Sequence, residues 1–117
     1  MDNKWQDLLL FDKQEMIRRI GDDADLLHAL LQSAKKTMPE YIAEIASAVA
    51  AGNSEQAKQA AHAVKGAAAN LSFCRLQEAA KEMESAAKEQ TGDMAQKLAF
   101  VQQEWQSIQN EWSSLES

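Results

Sequence analysis

An all-α fold is what this sequence predicts: an antiparallel four-helix bundle carrying a short N-terminal helical lid. Three observations predict it. The 117 residues include twenty-one alanines but one proline and four glycines, a balance that favours long helices. Apolar residues recur at three- and four-residue steps in several successive stretches. Residues suited to helix starts and glycines suited to helix ends fall between those stretches. The length fits one domain over 1–117, with 1–21 as the lid and 22–117 as the bundle.

Residues 1–10 carry Trp5, Leu8, Leu9 and Leu10, enough apolar surface for a short cap that packs on something larger. Asp12 with Glu15 three residues on has capping-box spacing, Met16, Ile17 and Ile20 give the next turns an apolar side, and Gly21 ends that helix. Asp22, Asp23 and Asp25 suit the positive end of the following helix dipole. Its stripe runs through Leu27, Leu30, Leu31, Ala34, Met38, Tyr41, Ile42, Ile45 and Val49 to Gly52. Pro39 lies inside this stripe, so a kinked continuous helix is expected rather than two helices.

Asn53 with Gln56 opens the third helix. Ala57, Ala60, Ala61, Val64, Ala68 and Leu71 form its core side, which leaves Lys58, His62, Lys65, Gly66 and Ala69 facing solvent. A break follows at 70–72, with Ser72 expected to cap a fourth helix carrying Phe73, Leu76, Ala80, Met83 and Ala87. Gly92 is expected to close that helix. Asp93 and Gln96 are expected to open the last one, whose stripe is Met94, Leu98, Val101, Trp105, Ile108, Trp112 and Leu115.

A net charge of −6 argues against nucleic acid or an anionic membrane surface as partner, since both need concentrated Lys and Arg. The single Cys74 excludes an internal disulfide, and beside Phe73 it reads as packing rather than nucleophile. Two histidines and one cysteine without i, i+4 ligand pairing make no metal site. No apolar run is long enough to cross a membrane and no signal-like start is present. A cytoplasmic monomer is the expectation. His28 lies off the main stripe and reads as a surface or lid-contact residue. Trp105 and Trp112 share the core stripe, although with Trp5 they would also make an aromatic patch for a partner.

His62 is different. An exposed imidazole flanked by Lys58 and Lys65, which would hold it neutral, is a nucleophile beside cations able to meet an incoming phosphoryl group. Gly66 sits one turn away, where it costs the helix roughly 0.5 to 1 kcal/mol against alanine and offers bare backbone to an approaching protein. An ordinary surface histidine beside a tolerated glycine explains the same residues.

The string His62-Ala63-Val64-Lys65-Gly66, with Ala61 before it and Ala67 to Leu71 after, resembles the signature of histidine-containing phosphotransfer domains. The resemblance extends to Gly21-Asp22, the Pro39 helix, the Asn53 cap and Met83-Glu84. It implies that Nε2 of His62 accepts a phosphoryl group from a receiver-domain aspartyl phosphate and passes it to another receiver aspartate. Lys65 would then stabilise phosphoryl charge and Gly66 would give docking clearance. Lys58, Ala69, Arg75, Glu84 and Lys88 are candidate receiver contacts, though a solvated face also explains Glu84 and Lys88. One departure stands out: the family usually has glycine where this chain has Ser72.

Partners implied by the resemblance are response-regulator receiver domains and a hybrid sensor histidine kinase. No cofactor is expected on this chain, and Mg²⁺ is expected on the receiver. The chain would be a phosphohistidine carrier without kinase activity of its own. A substrate domain of a chemotaxis-type autokinase and a non-catalytic helical adaptor are the alternatives.

Overall fold

In a computed structural model, residues 4–116 are described, and they are helical with no strand among them. A single 3₁₀ turn at Lys4–Asp7 precedes α1 (Lys13–Ile20), α2 (Ala24–Ala51), α3 (Ser54–Asn70), α4 (Cys74–Glu89), α5 (Met94–Asn110) and a short α6 (Trp112–Glu116). The expected cap over 1–10 thus falls partly outside the described residues. Helices α2 to α5 form the bundle in chain order. The α3–α4 pair packs most extensively, α2–α3 and α4–α5 follow, and α2–α5 is the loosest seam.

α2 has 28 residues, about 42 Å at 1.5 Å per residue, and it sets the 43 Å long dimension of the molecule. Pro39 lies on its exposed side and the helix continues through it. The reason is that Met38, Ile42, Ile45 and Ala48 are all buried on one stripe. Division at Pro39 would strand half of it.

Three turns between bundle helices close alike. After α2, Gly52 takes the left-handed conformation (φ 70°) and the Asn53 N–H reaches back to Ala48 O. After α3, Ser72 takes φ 55° and the Phe73 N–H reaches Ala68 O at 2.9 Å. After α4, Gln90 takes φ 53° and the Thr91 N–H reaches Ala86 O at 3.0 Å. Each is a Schellman closure, a geometry that favours glycine because a Cβ is strained there.

This corrects two expectations. Ser72 does not cap α4; Phe73 holds the N-cap position with no side-chain bond. Instead Ser72 is buried, its Oγ donates to Glu15 Oε1 at 3.0 Å, and its carbonyl accepts the Asp12 N–H. The serine endures the left-handed backbone and uses its hydroxyl to pin α1 to the α3–α4 turn. Close packing of α3 on α4 survives the change. Gly92 likewise does not close α4, since Gln90 occupies the left-handed position that ends it.

The other caps divide between agreement and correction. Asp12, Asp23 and Asn53 each accept from the backbone N–H three residues on. Glu15, however, turns its carboxylate to Ser72 and Arg19 rather than back to Asp12. Asp93 stands at the α5 N-cap position, but no cap bond forms and its carboxylate accepts the Thr91 hydroxyl. The last helix is expected to be unbroken but is interrupted at Glu111, whose N–H bonds Ile108 O in a tightened final turn. Trp112 and Leu115 stay buried beyond the break.

The core side of α3 is as expected: Ala57, Ala60, Ala61, Val64, Ala68 and Leu71 are all buried. Small side chains there admit α2 and α4 at close range. Trp5, Trp105 and Trp112 are buried together with Phe73 rather than forming a surface patch. Trp5 meets Phe100 edge-on at 5.4 Å, and Trp112 meets Trp105 edge-on at 6.0 Å.

Candidate functional site

α3 buries its alanine face, so the residues between the buried positions point outward, and the His62 side chain is 66% exposed. Across the α3–α4 seam stands Glu84. Its Oε2 lies 2.9 Å from His62 Nδ1 and its Oε1 lies 2.6 Å from Lys65 Nζ. One carboxylate therefore holds both residues. Met83, Ala86 and Ala87 beside it are buried, which fixes the face α4 turns to α3 and delivers Glu84 to the seam.

The charge arrangement differs from the one expected. Lys58 pairs with Glu55 at 3.2 Å and Lys65 with Glu84, so neither ammonium faces the ring alone. What borders the imidazole is an anion. An ionised carboxylate only accepts hydrogen bonds, so Nδ1 is the proton-bearing nitrogen in this contact, and in the neutral ring that tautomer leaves the lone pair on Nε2. Partial burial works to raise the Glu84 pKa, but hydrogen bonds from Lys65 and His62 and the attached charge outweigh it and hold the carboxyl below its usual range. The anion persists where the tautomer needs it.

Gly66 is exposed one turn from His62, and a Cβ added there would meet nothing within 4 Å. No intramolecular packing requires a glycine at that position. Ala69 is half-buried one turn further along the helix.

Of the other candidate contacts, Lys88 is exposed one turn beyond Glu84 and makes no bond among the described residues. Arg75 is not with them: its Nε donates to Leu8 O at 2.8 Å, fastening the N-terminal segment to the start of α4. His28 is exposed in a hollow beside Leu115 and Glu116 of α6. Burial, with the nearby Asp12 and Glu15 charges, pushes the Cys74 thiol pKa up, which suits packing and not nucleophilic chemistry. No cluster of possible metal ligands occurs among the described residues.

Sequence reasoning placed Glu84 on the receiver-facing surface as an outward contact and missed its tie to His62. A signal existed. Glu82 and Glu84 flank buried Met83 on the helix that follows the His62 helix, but only the seam geometry shows which of them reaches His62.

The family model of the Hpt domain matches residues 29–116. This chain belongs to the Hpt domain family. Histidine phosphotransfer in two-component signalling, in contact with receiver domains and kinases, comes with that membership. The match runs from within α2 to the end of α6 and includes the whole His62–Lys65–Glu84 arrangement, while the 3₁₀ turn, α1 and the first residues of α2 lie outside it. The chain matches no curated protein and no solved structure. Among the described residues, no helix is long and apolar enough to cross a membrane.

Proposed function

We propose that His62 is the phosphoacceptor of a phosphorelay, taking a phosphoryl group from a receiver aspartyl phosphate and handing it to another receiver aspartate, in the cytoplasm. The observation that carries this reading is the 2.9 Å contact of Nδ1 with Glu84 on an otherwise exposed ring. It leaves Nε2 as an outward-facing nucleophile in the tautomer that attack requires. Nε2 attacks phosphorus in line with the acyl oxygen. The N–P bond forms, the P–O bond breaks, and the electron pair returns to the receiver carboxylate.

Each neighbouring residue has a part in this reading. Lys65 lies near enough to meet phosphoryl oxygens from the α3 surface. Gly66 keeps side-chain bulk away from the path by which a receiver brings its aspartate to Nε2, and its openness fits that role. Lys58, Ala69 and Lys88 border the same docking face, and Mg²⁺ belongs to the receiver's acidic pocket. Arg75 stands apart from them at the start of α4, where its Nε donates to Leu8 O.

Incubation with a phosphorylated receiver and Mg²⁺ tests the proposal. Label is expected on the wild type as a base-stable, acid-labile adduct, none is expected on His62→Gln, and Gly66→Leu is expected to fold normally but transfer slowly. A labelled His62→Gln would overturn the assignment. Normal transfer by Gly66→Leu would remove the clearance argument.

A further inference from the structure

Lys65 and His62 compete for one carboxylate, and the competition has a consequence once a phosphoryl group is present. Each Glu84 oxygen serves one partner, Oε1 the Lys65 ammonium at 2.6 Å and Oε2 the His62 ring at 2.9 Å. We propose that Lys65 changes partner when His62 is phosphorylated, leaving Glu84 for the phosphoryl oxygens, while Glu84 keeps the Nδ1 proton on the ring and so sets how long the phosphohistidine lasts. This rests on His62 being the phosphoacceptor.

The charges drive the exchange. A phosphoryl group on Nε2 brings about −1.5 to −2 of charge to the exposed side of the ring, where it competes with the single charge of Glu84 for the ammonium. Lys65 is three residues from His62 on one helix face. Its flexible four-carbon stem is 30% exposed and has room to swing. As the N–P bond forms from the Nε2 lone pair, the ring keeps its Nδ1 proton and becomes positive. Glu84 thus loses one cation and gains another. Before transfer the pair is carboxylate and ammonium; afterwards it is carboxylate and phosphoimidazolium, with the ammonium on the phosphoryl group.

The Nδ1 proton governs lifetime because of what leaves when the N–P bond breaks. With the proton in place, the electron pair returns to Nε2 and neutral imidazole departs, whether the attacking oxygen belongs to a receiver carboxylate or to water. Without it, an imidazolate would have to depart, a far poorer leaving group. Glu84 is therefore a positioning residue that acts through His62. The charged groups around the ring are Lys58, engaged with Glu55, and Lys65 on α3, and Glu84 on α4. Lys81 and Lys88 lie a turn to either side of Glu84, both exposed. α2 contributes no bonded charge to the ring.

Phosphoramidate, a small donor that needs no receiver, supplies the test. Wild type and Glu84→Gln are labelled with it, and loss of phosphohistidine is followed from about pH 6 to pH 9. Removing an adjacent opposite charge weakens proton affinity by about tenfold or more. Loss is therefore expected to fall with rising pH in both proteins, with the fall setting in about one pH unit lower in Glu84→Gln, so that near pH 8 its loss is about tenfold slower than the wild type's. In parallel, the Lys65 ammonium resonance is expected to shift on phosphorylation of the wild type.

Equal lifetimes at all pH values, or an unmoved Lys65 resonance, would overturn the proposal. So would absence of any adduct in the wild type. Failure of receiver transfer alongside normal phosphoramidate labelling would instead sink the relay reading and leave this one standing.

Discussion

Glu84 and Glu104 are the same side chain on neighbouring bundle helices, and their surroundings give them opposite characters. Glu84 is 21% exposed at the α3–α4 seam, and each of its oxygens has a cationic or ring N–H partner. Glu104 on α5 is 7% exposed beneath the N-terminal segment; Oε2 accepts the Trp5 indole N–H at 3.2 Å, and buried Oε1 has no partner among the described residues. A carboxylate at the edge of the bundle can hold and release cations. A carboxylate under the cap is tied to one neutral donor and anchors structure. The difference lies in what the next element brings: α3 brings a lysine and a histidine, whereas the N-terminal turn brings an indole.

The anchoring half of this contrast breaks most visibly at Trp5. Trp5→Ala removes an indole that is 2% exposed, leaves Phe100 without its edge contact and takes away the indole donor to Glu104. A loss of about 3–5 kcal/mol is expected by denaturant unfolding. A loss under about 1 kcal/mol would mean that the N-terminal turn is a passive cover.

A smaller effect distinguishes the two glutamates directly. Glu104→Gln keeps an oxygen for the Trp5 indole and replaces Oε1, a buried oxygen without a partner among the described residues, by an uncharged amide nitrogen, so stability is expected to rise by about 1 kcal/mol. A comparable fall would show that Oε1 is satisfied by solvent and that the two sites are more alike than the protein contacts indicate.

The smallest effect is at the seam. Glu84→Gln is expected to change stability by under about 1 kcal/mol near neutrality, because surface ion pairs contribute little. Its pH dependence carries the information. The folded-state pKa of Glu84 lies below the ordinary 4.5, so its contribution is fully present above that value and is lost as pH falls through the lower folded value. The stability difference between wild type and Glu84→Gln is therefore expected to shrink on acidification below about pH 4.5. A difference that is constant down to about pH 2 would show that the Lys65 and His62 contacts do not act on the ionised form.

Much of the molecule was legible in the residues. Most of the buried stripes of α2, α3 and α5 follow from three- and four-residue spacing, since a helix with that pattern has one face it must cover, although Leu30 of the expected α2 stripe is 39% exposed. The Asp12, Asp23 and Asn53 bonds follow from local chemistry confined to one turn. The turn at Ser72 was not legible as built. A serine next to a helix start has the composition of a cap, and only the path of α1 over the α3–α4 turn explains why its hydroxyl goes to Glu15. Gln90 was missed for a similar reason: a left-handed residue is expected to be glycine, and Gly92 stood two positions away.

The sequence by itself determined the helical class, the alanine face of α3 and hence the exposure of His62, because these depend on periodicity within single helices. It also carried the His62-to-Gly66 string. Tertiary structure decided which charge borders the ring. His62 and Glu84 are 22 residues apart, on helices whose relative rotation is set by packing of buried side chains, and that rotation brings a carboxylate to the imidazole. Local spacing carries no record of that rotation. The contact between His62 Nδ1 and Glu84 exists only because α4 packs on α3.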